Sequence, residues 1–296
     1  MPSGIITKGI GGFYYVASED AEYECKARGI FRKNGLTPLP GDKVIFSVTD
    51  PVLKKGSLDE IMERSSLLAR PAVANIDQLV AVIAVKSPEP DMLLLDKLLI
   101  TAETKSISAV ICINKTDLDT EGKSSLLRSD YAKAGYSVIE TSSKINNGFD
   151  NLKSVLNGKI SVFAGQSGVG KSTMLNNIVN TMMMKTGGLS DKIDRGKHTT
   201  RHTELIMLED GGYVADTPGF SSFEMTGIEY AGLQFCYYEF RDYIKECRFT
   251  GCSHINEPEC GVKNAAASGE ISAGRYERYI EIYKYLKQLD SMKYKK

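Results

Sequence analysis

The chain has 296 residues, of which 42% are hydrophobic and 25% are charged, values ordinary for a globular protein of about two domains with room for a small third. Its 37 Lys and Arg balance 37 Asp and Glu, so the net charge gives no argument for a nucleic-acid partner. The N-terminus lacks the pattern of a secretory signal, and the longest apolar run, Leu79 to Val85, is too short to span a membrane. We therefore expect a cytoplasmic protein with no membrane partner. Its six cysteines are expected to be metal ligands or buried thiols before disulfides.

Short β patterns fill the first 66 residues. Ile5 to Val16 is typical of a bent strand or hairpin whose glycines mark a bulge. Glu22 to Arg28 alternates as a strand does, and Lys43 to Val48 is a strand entered through the turn at Pro38 to Asp42. Ser57 to Met62 is a candidate fourth strand. Four or five short strands predict a small β-barrel, of which the OB-fold is one type.

OB-fold barrels often bind RNA or single strands through basic and aromatic side chains. The candidates in this region are Tyr14, Tyr15, Lys26, Arg28, Phe31, Arg32 and Lys33. The same region holds nine Lys and Arg and nine Asp and Glu. Ordinary core aromatics and a solvated charged face therefore explain any single one of these residues equally well.

From Asp77 onward the pattern changes to alternating strands and helices. Gln78 to Val85 is a continuous apolar run, typical of a parallel strand that is covered on both faces. Asp91 to Lys105 has helical spacing, and Ser108 to Ile113 is the next buried strand. This second strand runs directly into Asn114-Lys-Thr-Asp117.

That tetrapeptide fits N-K-x-D, the guanine-reading element of GTPases. Asp117 would accept hydrogen bonds from guanine N1–H and the exocyclic amine, which adenine cannot supply in that arrangement. Asn114 and Lys115 would brace the loop, and Thr116 is part of the same predicted GTP contact. Four residues can match by chance, but these follow a predicted buried strand, where ligands bind in open parallel sheets.

A second guanine element is predicted farther along. A helix at about Glu121 to Ala134 precedes the strand Tyr136 to Glu140, which ends in Thr141-Ser-Ser-Lys144. This resembles the S-A-K element, whose backbone touches guanine O6, and makes Ser142 and Ser143 candidate contacts. It is the loosest match, since Ser143 stands where Ala is usual. A short helix near Asp150 to Leu156 follows.

Residues 165 to 173 fit the phosphate-loop pattern G-x-x-x-x-G-K-[ST]. They lie between a predicted buried strand, Ile160 to Ala164, and a helix that we expect to begin near Met174, so backbone N–H groups and the helix N-terminus would bind the phosphates. Lys171 would reach the β- and γ-phosphates, and the Ser172 hydroxyl would bind Mg²⁺. The predicted triphosphate contacts are Gly165, Gln166, Ser167, Gly168, Val169, Gly170, Lys171, Ser172 and Thr173. Gly168 stands where potassium-dependent GTPases carry Asn, so the sequence does not predict a potassium requirement.

The segment from 187 to 202 is polar and basic without a clear period, as expected for a first switch. Thr199 or Thr200 is the candidate contact for Mg²⁺ and the γ-phosphate. Two paired strands, Thr203 to Leu208 and Gly212 to Asp216, are expected next, and the second ends in the D-x-x-G element. Asp216 would hold Mg²⁺ through a water, and the Gly219 N–H would meet the γ-phosphate.

Many GTPases place a water-orienting Gln directly after D-x-x-G. Phe220 occupies that position here and cannot orient water by hydrogen bonding. The sequence therefore predicts slow intrinsic hydrolysis that another group must complete. His198 is the candidate catalytic residue, beside Lys171 and the switch threonines, although a switch histidine can also be a bystander.

The C-terminal region carries a cluster of metal-ligand residues, Cys247, Cys252, His254 and Cys260. Three thiolates and an imidazole suit a closed, structural zinc site, one ion per chain, whereas the alternative is three unrelated thiols beside a surface histidine. The other thiols, Cys25, Cys112 and Cys236, are expected to be buried fillers. Residues 275 to 296 are predicted to form a helix with seven Lys and Arg against three Asp and Glu. This helix could face rRNA, or it could be a solvated helix packed on the zinc region.

The order of the GTPase elements is permuted, because N-K-T-D and T-S-S-K precede the phosphate loop and D-T-P-G. With its elements in this order, the chain resembles the ribosome small-subunit-dependent GTPase A family (RsgA, also called YjeQ or YloQ). The resemblance extends along essentially all of its length. Further shared elements are Arg28-Gly-Ile-Phe-Arg32, Pro40-Gly-Asp42, Arg70-Pro-Ala-Val-Ala-Asn-Ile-Asp77 and the Cys/His cluster. The resemblance also favours zinc in the cluster and His198 as the catalytic group.

The resemblance implies a multidomain fold: an N-terminal OB-fold barrel, a central circularly permuted α/β phosphate-loop GTPase domain, and a C-terminal, mostly helical zinc-binding domain. We expect boundaries at 1–66, 67–224 and 225–296. It further implies GTP hydrolysis to GDP, stimulated by the 30S subunit, during late maturation of that subunit, with 16S rRNA contacted by a monomer. The alternatives are a GTP-switched ribosome-binding scaffold and a small-molecule kinase, the latter opposed by N-K-T-D and D-T-P-G.

Overall fold

The computed structural model describes residues 1–33, 35–69, 71–186, 203–209, 211–216 and 227–293. The N-terminal part is a closed barrel of five strands in the order β1-β2-β3-β5-β4, as predicted. These strands are β1 (Ser3–Ile10), β2 (Phe13–Ala17), β3 (Glu22–Ala27), β4 (Lys43–Asp50) and β5 (Lys55–Ile61). The short helix α1 (Gly29–Lys33) joins β3 to β4 and was not predicted. The barrel encloses Ile6, Val16, Tyr23, Cys25, Val44, Phe46 and Leu58.

The glycines of the first hairpin do not mark a bulge, contrary to the prediction. Gly11 and Gly12 form the two-residue turn between β1 and β2, with φ angles of 60° and 86°. Both lie in the left-handed region that glycine adopts at low cost. The register shift lies instead between Ile6 and Lys8, within β1.

A short hairpin, β6 (Leu67–Ala69) and β7 (Ala72–Ala74), follows the barrel and is bound to the turn at residues 40–42. The Ala74 amide donates to the Pro40 carbonyl at 2.9 Å, and Asn75 Nδ2 donates to the Gly41 carbonyl at 2.9 Å. The buried Asp42 carboxylate accepts two hydrogen bonds, of 2.7 and 2.8 Å, from the Arg64 guanidinium. Hydrogen bonds from Ala74, Asn75 and Arg64 therefore fix the turn at residues 40–42.

We expect Gly41→Ala to lower the free energy of unfolding by about 3 kcal/mol. Gly41 has φ 91°, and a Cβ there would lie 2.0 Å from the Ala74 carbonyl oxygen, so the substitution combines backbone strain with a clash. Gly35→Ala is the matched control, because Gly35 has φ 66° but nothing within 4 Å of its Cβ position, and about 1 kcal/mol is expected. Urea denaturation followed by circular dichroism measures both. Equal losses in the two variants would contradict the clash.

The central sheet has six strands in the order β10-β9-β8-β11-β13-β12. They are β8 (Gln78–Ala84), β9 (Ser108–Asn114), β10 (Ser137–Glu140), β11 (Ile160–Ala164), β12 (Glu204–Met207) and β13 (Tyr213–Asp216). β9 runs parallel to β10, and β11 runs parallel to β13, whereas β12 is an antiparallel edge strand. Every residue of β8 and β11 is buried, which explains their continuous apolar sequences.

Four helices alternate with these strands: α2 (Met92–Thr104), α3 (Lys123–Lys133), α4 (Phe149–Leu156) and α5 (Lys171–Thr186). Asp91 caps α2, since its carboxylate accepts from the Leu94 amide at 2.8 Å. Asp119 accepts from the Lys123 and Ser124 amides at the start of α3, and its hydrogen bonds, those of Ser124 foremost, lower the pKa of Asp119 to about 2. α5 begins at Lys171, three residues earlier than predicted.

Within residues 227–293, the structure contains three 3₁₀ helices and two α-helices. The 3₁₀ helices span Tyr230–Cys236, Tyr238–Phe240 and Ile244–Glu246, and the α-helices are α6 (Gly261–Ser268) and α7 (Ala273–Lys293). Their aromatic core includes Tyr237, Phe240 and Tyr279, whose ring centroids lie 4.9 to 5.3 Å apart. The helix predicted over residues 275–296 corresponds to α7, whereas the 3₁₀ helices and α6 were not predicted.

Candidate nucleotide and metal sites

Asn114, the last residue of β9, joins three loops that are distant in sequence. Its Nδ2 donates to the Val169 carbonyl in the phosphate loop at 2.8 Å. Its Oδ1 accepts from Thr141 Oγ1, at the end of β10, at 3.1 Å. N-K-T-D, T-S-S-K and the phosphate loop therefore meet at the carboxyl ends of the strands, where parallel sheets bind ligands.

Lys115 reaches across the phosphate loop. It adopts a left-handed backbone with φ 61°, and its Nζ donates to the Gly168 carbonyl at 2.8 Å and to the Ser87 carbonyl. The ammonium group thus bonds two backbone oxygens of separate loops. Such a position fixes the spacing between the N-K-T-D loop and the phosphate loop.

Asp117 lies in a 3₁₀ turn over Thr116–Leu118, and its Oδ1 accepts from Ser142 Oγ at 2.5 Å. Thr116 Oγ1 donates to the Thr141 carbonyl at 3.2 Å, which ties this turn to the end of β10. Ser142 and Asn147 exchange two backbone hydrogen bonds that close the T-S-S-K loop. Ser143 Oγ is buried without a hydrogen-bond partner among the described residues.

The phosphate loop needs glycine at two positions for reasons of space. Gly165 has φ 146°, and a Cβ there would lie 2.1 Å from the Val82 carbonyl oxygen. Gly170 has φ 100°, and its Cβ would lie 2.5 Å from Asn114 Nδ2. A side chain at either position would therefore displace the backbone of the loop or of its neighbours. The loop leads straight into α5, whose first residue is Lys171, and burial lowers the pKa of Lys171.

Of the remaining predicted residues, Ser172 and Thr173 are exposed in the first turn of α5. Asp216 is the last residue of β13, which pairs in parallel with β11 in a register that opposes Ala215 to Val162. Asp216 therefore ends its strand at the edge where β11 enters the phosphate loop. His198, Thr199, Thr200, Gly219 and Phe220 lie outside the described residues.

The structure brings Cys247, Cys252, His254 and Cys260 into one cluster whose ligand atoms all lie within 4.8 Å of one another. Cys247 Sγ lies 3.7 Å from Cys260 Sγ and 3.5 Å from His254 Nδ1. Burial raises the pKa of the Cys252 thiol and lowers the pKa of the His254 imidazole. Buried thiolates require a compensating cation, and a neutral imidazole is the form that binds one, so these four residues could hold a metal ion.

The loop that carries these candidate ligands is fixed by hydrogen bonds from α7 and to Glu257. Tyr276 and Tyr279 of α7 donate through their hydroxyls to the carbonyls of His254 and Ser253, at 2.7 and 3.0 Å. The Glu257 carboxylate accepts from the amide and hydroxyl of Ser253 at 2.9 and 2.6 Å. The sequence did not predict roles for Gln234 or Thr141. Gln234 Oε1 lies 2.9 Å from His254 Nε2, and Thr141 Oγ1 donates a hydrogen bond to Asn114 Oδ1.

A strand, the phosphate loop and a helix follow one another in the chain, and the phosphate loop is hydrogen-bonded to an N-K-T-D loop that comes earlier in the sequence. This order of elements defines a circularly permuted GTPase of the phosphate-loop class. The chain belongs to the RsgA GTPase family. The model of the RsgA GTPase family matches residues 61–226, and the model described as RsgA N-terminal domain matches residues 3–52.

Two curated relatives are named small ribosomal subunit biogenesis GTPase RsgA. The one from Ruminiclostridium cellulolyticum is 58% identical over 298 aligned residues, covering 100% of this chain and 97% of the relative. The one from Alkaliphilus metalliredigens is 49% identical, covering 97% and 99%. Near-complete coverage in both directions means that the similarity includes the barrel and the C-terminal region.

Two solved structures share this fold. The crystal structure of YjeQ from Thermotoga maritima is 37% identical with a TM-score of 0.83, covering 96% of this chain and 98% of its own. The crystal structure of YloQ, described as a circularly permuted GTPase, is 40% identical with a TM-score of 0.80, covering 97% and 96%. None of the described helices is long and apolar enough to cross a membrane.

Proposed function

We propose that this protein hydrolyses GTP to GDP and phosphate in the biogenesis of the small ribosomal subunit, with the 30S subunit stimulating the reaction. The observation that carries the nucleotide assignment is the 2.8 Å bond from Asn114 Nδ2 to the Val169 carbonyl. It ties the guanine-reading loop to the phosphate loop, so one nucleotide can contact both. The family assignment supports hydrolysis and the ribosomal role.

The guanine base is assigned to the loops after β9 and β10, and the phosphates to the loop after β11. Asp117 would read the base, with Ser142 orienting its carboxylate through the 2.5 Å bond. Lys171 would neutralise the β- and γ-phosphates. The full proposed GTP contacts are Asn114, Lys115, Thr116, Asp117, Ser142, Ser143, the loop 165–173, Asp216 and Gly219.

Mg²⁺ would be held by the Ser172 hydroxyl, by Thr199 or Thr200, and by Asp216 through water. Ser172 is exposed at the start of α5, and oxygen ligands of these kinds are those that Mg²⁺ prefers. When bound, the ion neutralises charge that develops on the phosphates. The protein residues bind the nucleotide and orient it.

The hydrolytic step requires a group that orients the attacking water, and Phe220 cannot do so. We assign this role to His198. We expect His198→Ala to lower subunit-stimulated turnover about 100-fold with little change in GTP affinity. His202→Ala is the matched control, because it removes the other histidine of the predicted switch segment. Single-turnover hydrolysis measures both, and full turnover by the His198 variant would refute the assignment.

The ion of the Cys/His cluster is proposed to be one structural Zn²⁺ per chain. A tetrahedral zinc with bonds of about 2.3 Å to sulfur separates its sulfur ligands by about 3.8 Å. The distance of 3.7 Å between Cys247 Sγ and Cys260 Sγ fits that spacing. Four protein ligands leave no open position, so the ion would stabilise the fold without taking part in hydrolysis.

The proposed partners are GTP and GDP, the 30S subunit and its 16S rRNA, and the proposed state is a cytoplasmic monomer with no membrane partner. The proposed domains are residues 1–66, 67–224 and 225–296. Lys26 of the barrel is one candidate RNA contact, because its side chain is exposed and its Nζ lies 5.2 Å from the Phe13 ring centroid. Lys8 is instead paired with Glu204 of β12 at 3.2 Å.

Sedimentation with purified ribosomal particles tests this proposal. We expect the chain to pellet with 30S subunits in the presence of a non-hydrolysable GTP analogue, and less with GDP. The 50S subunit is the control particle, and Lys171→Ala is the control for nucleotide dependence. Equal pelleting with both subunits, or none with either, would overturn the proposed ribosomal role.

A further inference from the structure

Gln234 is a buried amide that faces the metal-ligand cluster without being one of its ligands. It lies in the 3₁₀ helix Tyr230–Cys236 and is 9% exposed. Its Nε2 donates to the Ala231 carbonyl at 3.3 Å, and its Oε1 lies 2.9 Å from His254 Nε2. Because the amide nitrogen is bonded to a carbonyl, the amide oxygen is the atom turned toward the imidazole.

This contact determines which nitrogen of His254 carries the proton. An amide oxygen can only accept, so His254 Nε2 must donate. A neutral imidazole has one protonated nitrogen, which leaves the lone pair on Nδ1. Nδ1 lies 3.5 Å from Cys247 Sγ and 3.3 Å from Cys260 Sγ, and therefore faces the cluster.

The imidazole ring of His254 also packs against two aromatic side chains. The ring centroids of Phe240 and Tyr279 lie 6.0 and 6.1 Å from its own centroid. The Tyr276 hydroxyl holds the His254 carbonyl but does not touch the ring. In the described part of the chain, Gln234 is the hydrogen-bond partner that the imidazole has outside the cluster.

We propose that Gln234 is a positioning residue of the metal site, which holds His254 in the tautomer and orientation that present Nδ1 to the ion. The hydrogen bond also makes the ligand nitrogen more basic, as outer-shell acceptors do for metal-bound histidines. This inference rests on the proposed zinc site. It also gives the 3₁₀ helix Tyr230–Cys236 a chemical role, since that helix places the acceptor.

Two substitutions separate positioning from packing. Gln234→Leu keeps the volume of the side chain but removes the acceptor, and Gln234→Glu keeps an acceptor at the same distance. We expect the leucine variant of the full, zinc-loaded chain to lose zinc to a chromophoric chelator about 10-fold or more readily than the unmodified chain. The glutamate variant should stay within about threefold. Gln288→Leu, on the exposed face of α7, is the matched control and should change nothing.

The outcomes are distinct. Zinc retention by the leucine variant equal to that of the unmodified chain would overturn the inference, as would equal losses in the leucine and glutamate variants. Nitrogen chemical shifts of His254 in the unmodified chain give an independent readout that needs no variant. They should report a metal-bound Nδ1 and a protonated Nε2, and a metal-bound Nε2 would overturn the inference. An unmodified chain that binds no zinc would remove the proposed site itself, together with this inference.

Discussion

Replacing Asp96 with alanine is expected to lower the free energy of unfolding by about 3–5 kcal/mol, because it leaves two arginines without their shared buried partner. Asp96 of α2 is 1% exposed, and its two oxygens form ion pairs with Arg275 and Arg278 of α7. Arg275 also pairs with Glu239. Tyr131 of α3 donates to Asp96 Oδ1 at 2.9 Å. Two acids and two arginines thus form a buried network without net charge.

The guanidinium of Arg275 is further enclosed by three aromatic rings, with centroid distances of 5.0, 5.5 and 4.9 Å to Tyr131, Tyr136 and Tyr237. Replacing one member of such a network leaves a buried charge uncompensated, which is why the cost is large. The chain has no tryptophan, so urea unfolding should be followed by far-UV circular dichroism.

The matched control is Glu103→Gln, which removes a pair between α2 and the C-terminal region at the surface. The Arg241 partner of Glu103 has a side chain that is 49% exposed. Exposed pairs contribute little, so we expect a loss of about 1 kcal/mol or less. Equal losses for Asp96→Ala and Glu103→Gln would contradict the role assigned to the buried network.

Asp117→Asn is expected to exchange the preferred nucleotide from GTP to xanthosine triphosphate. Guanine carries an amine at C2, whereas xanthine carries a carbonyl there, and an asparagine amide can donate to that carbonyl while its oxygen accepts from N1–H. Ser142 Oγ would still donate to the oxygen of the new side chain. We expect GTP affinity to fall by about 10³ to 10⁴, because a buried donor would face a donor.

Equilibrium binding of fluorescent GTP and xanthosine analogues measures this exchange. Asp119→Asn is the control, because Asp119 lies on the same loop but caps α3 through the Lys123 and Ser124 amides. It should leave nucleotide choice unchanged. An Asp117→Asn variant that still prefers GTP would show that another group reads the base.

The sequence predicted the parts of the fold and of the site whose chemistry is local. The barrel strands, β8, β9 and the phosphate loop are contiguous stretches in which residue type follows from burial or from phosphate binding. Their positions in the structure agree with those predictions to within a few residues. The two-residue turn at Gly11 and Gly12 was assigned wrongly, because a glycine pair is compatible with both a bulge and a turn.

Contacts between distant residues left no signal that could be read from one sequence. Asp96 and Arg275 are 179 positions apart, and neither stands in a recognisable motif. Gln234 is similar, since a single glutamine twenty residues before His254 forms no recognisable sequence pattern. The contact between Thr141 and Asn114 could have been predicted. Thr141 follows β10, the strand next to β9, so its hydroxyl is within reach of Asn114 at the end of β9.

We propose that the catalytic site of this GTPase is completed by the small ribosomal subunit. Steady-state GTP turnover with and without purified 30S subunits, with 50S subunits as the control, tests it most directly. We expect slow turnover by the free chain, stimulation of at least about 10-fold by 30S alone, and no stimulation of Lys171→Ala. Turnover that is unchanged by 30S would contradict this proposal and favour a GTP-switched scaffold in which hydrolysis is incidental.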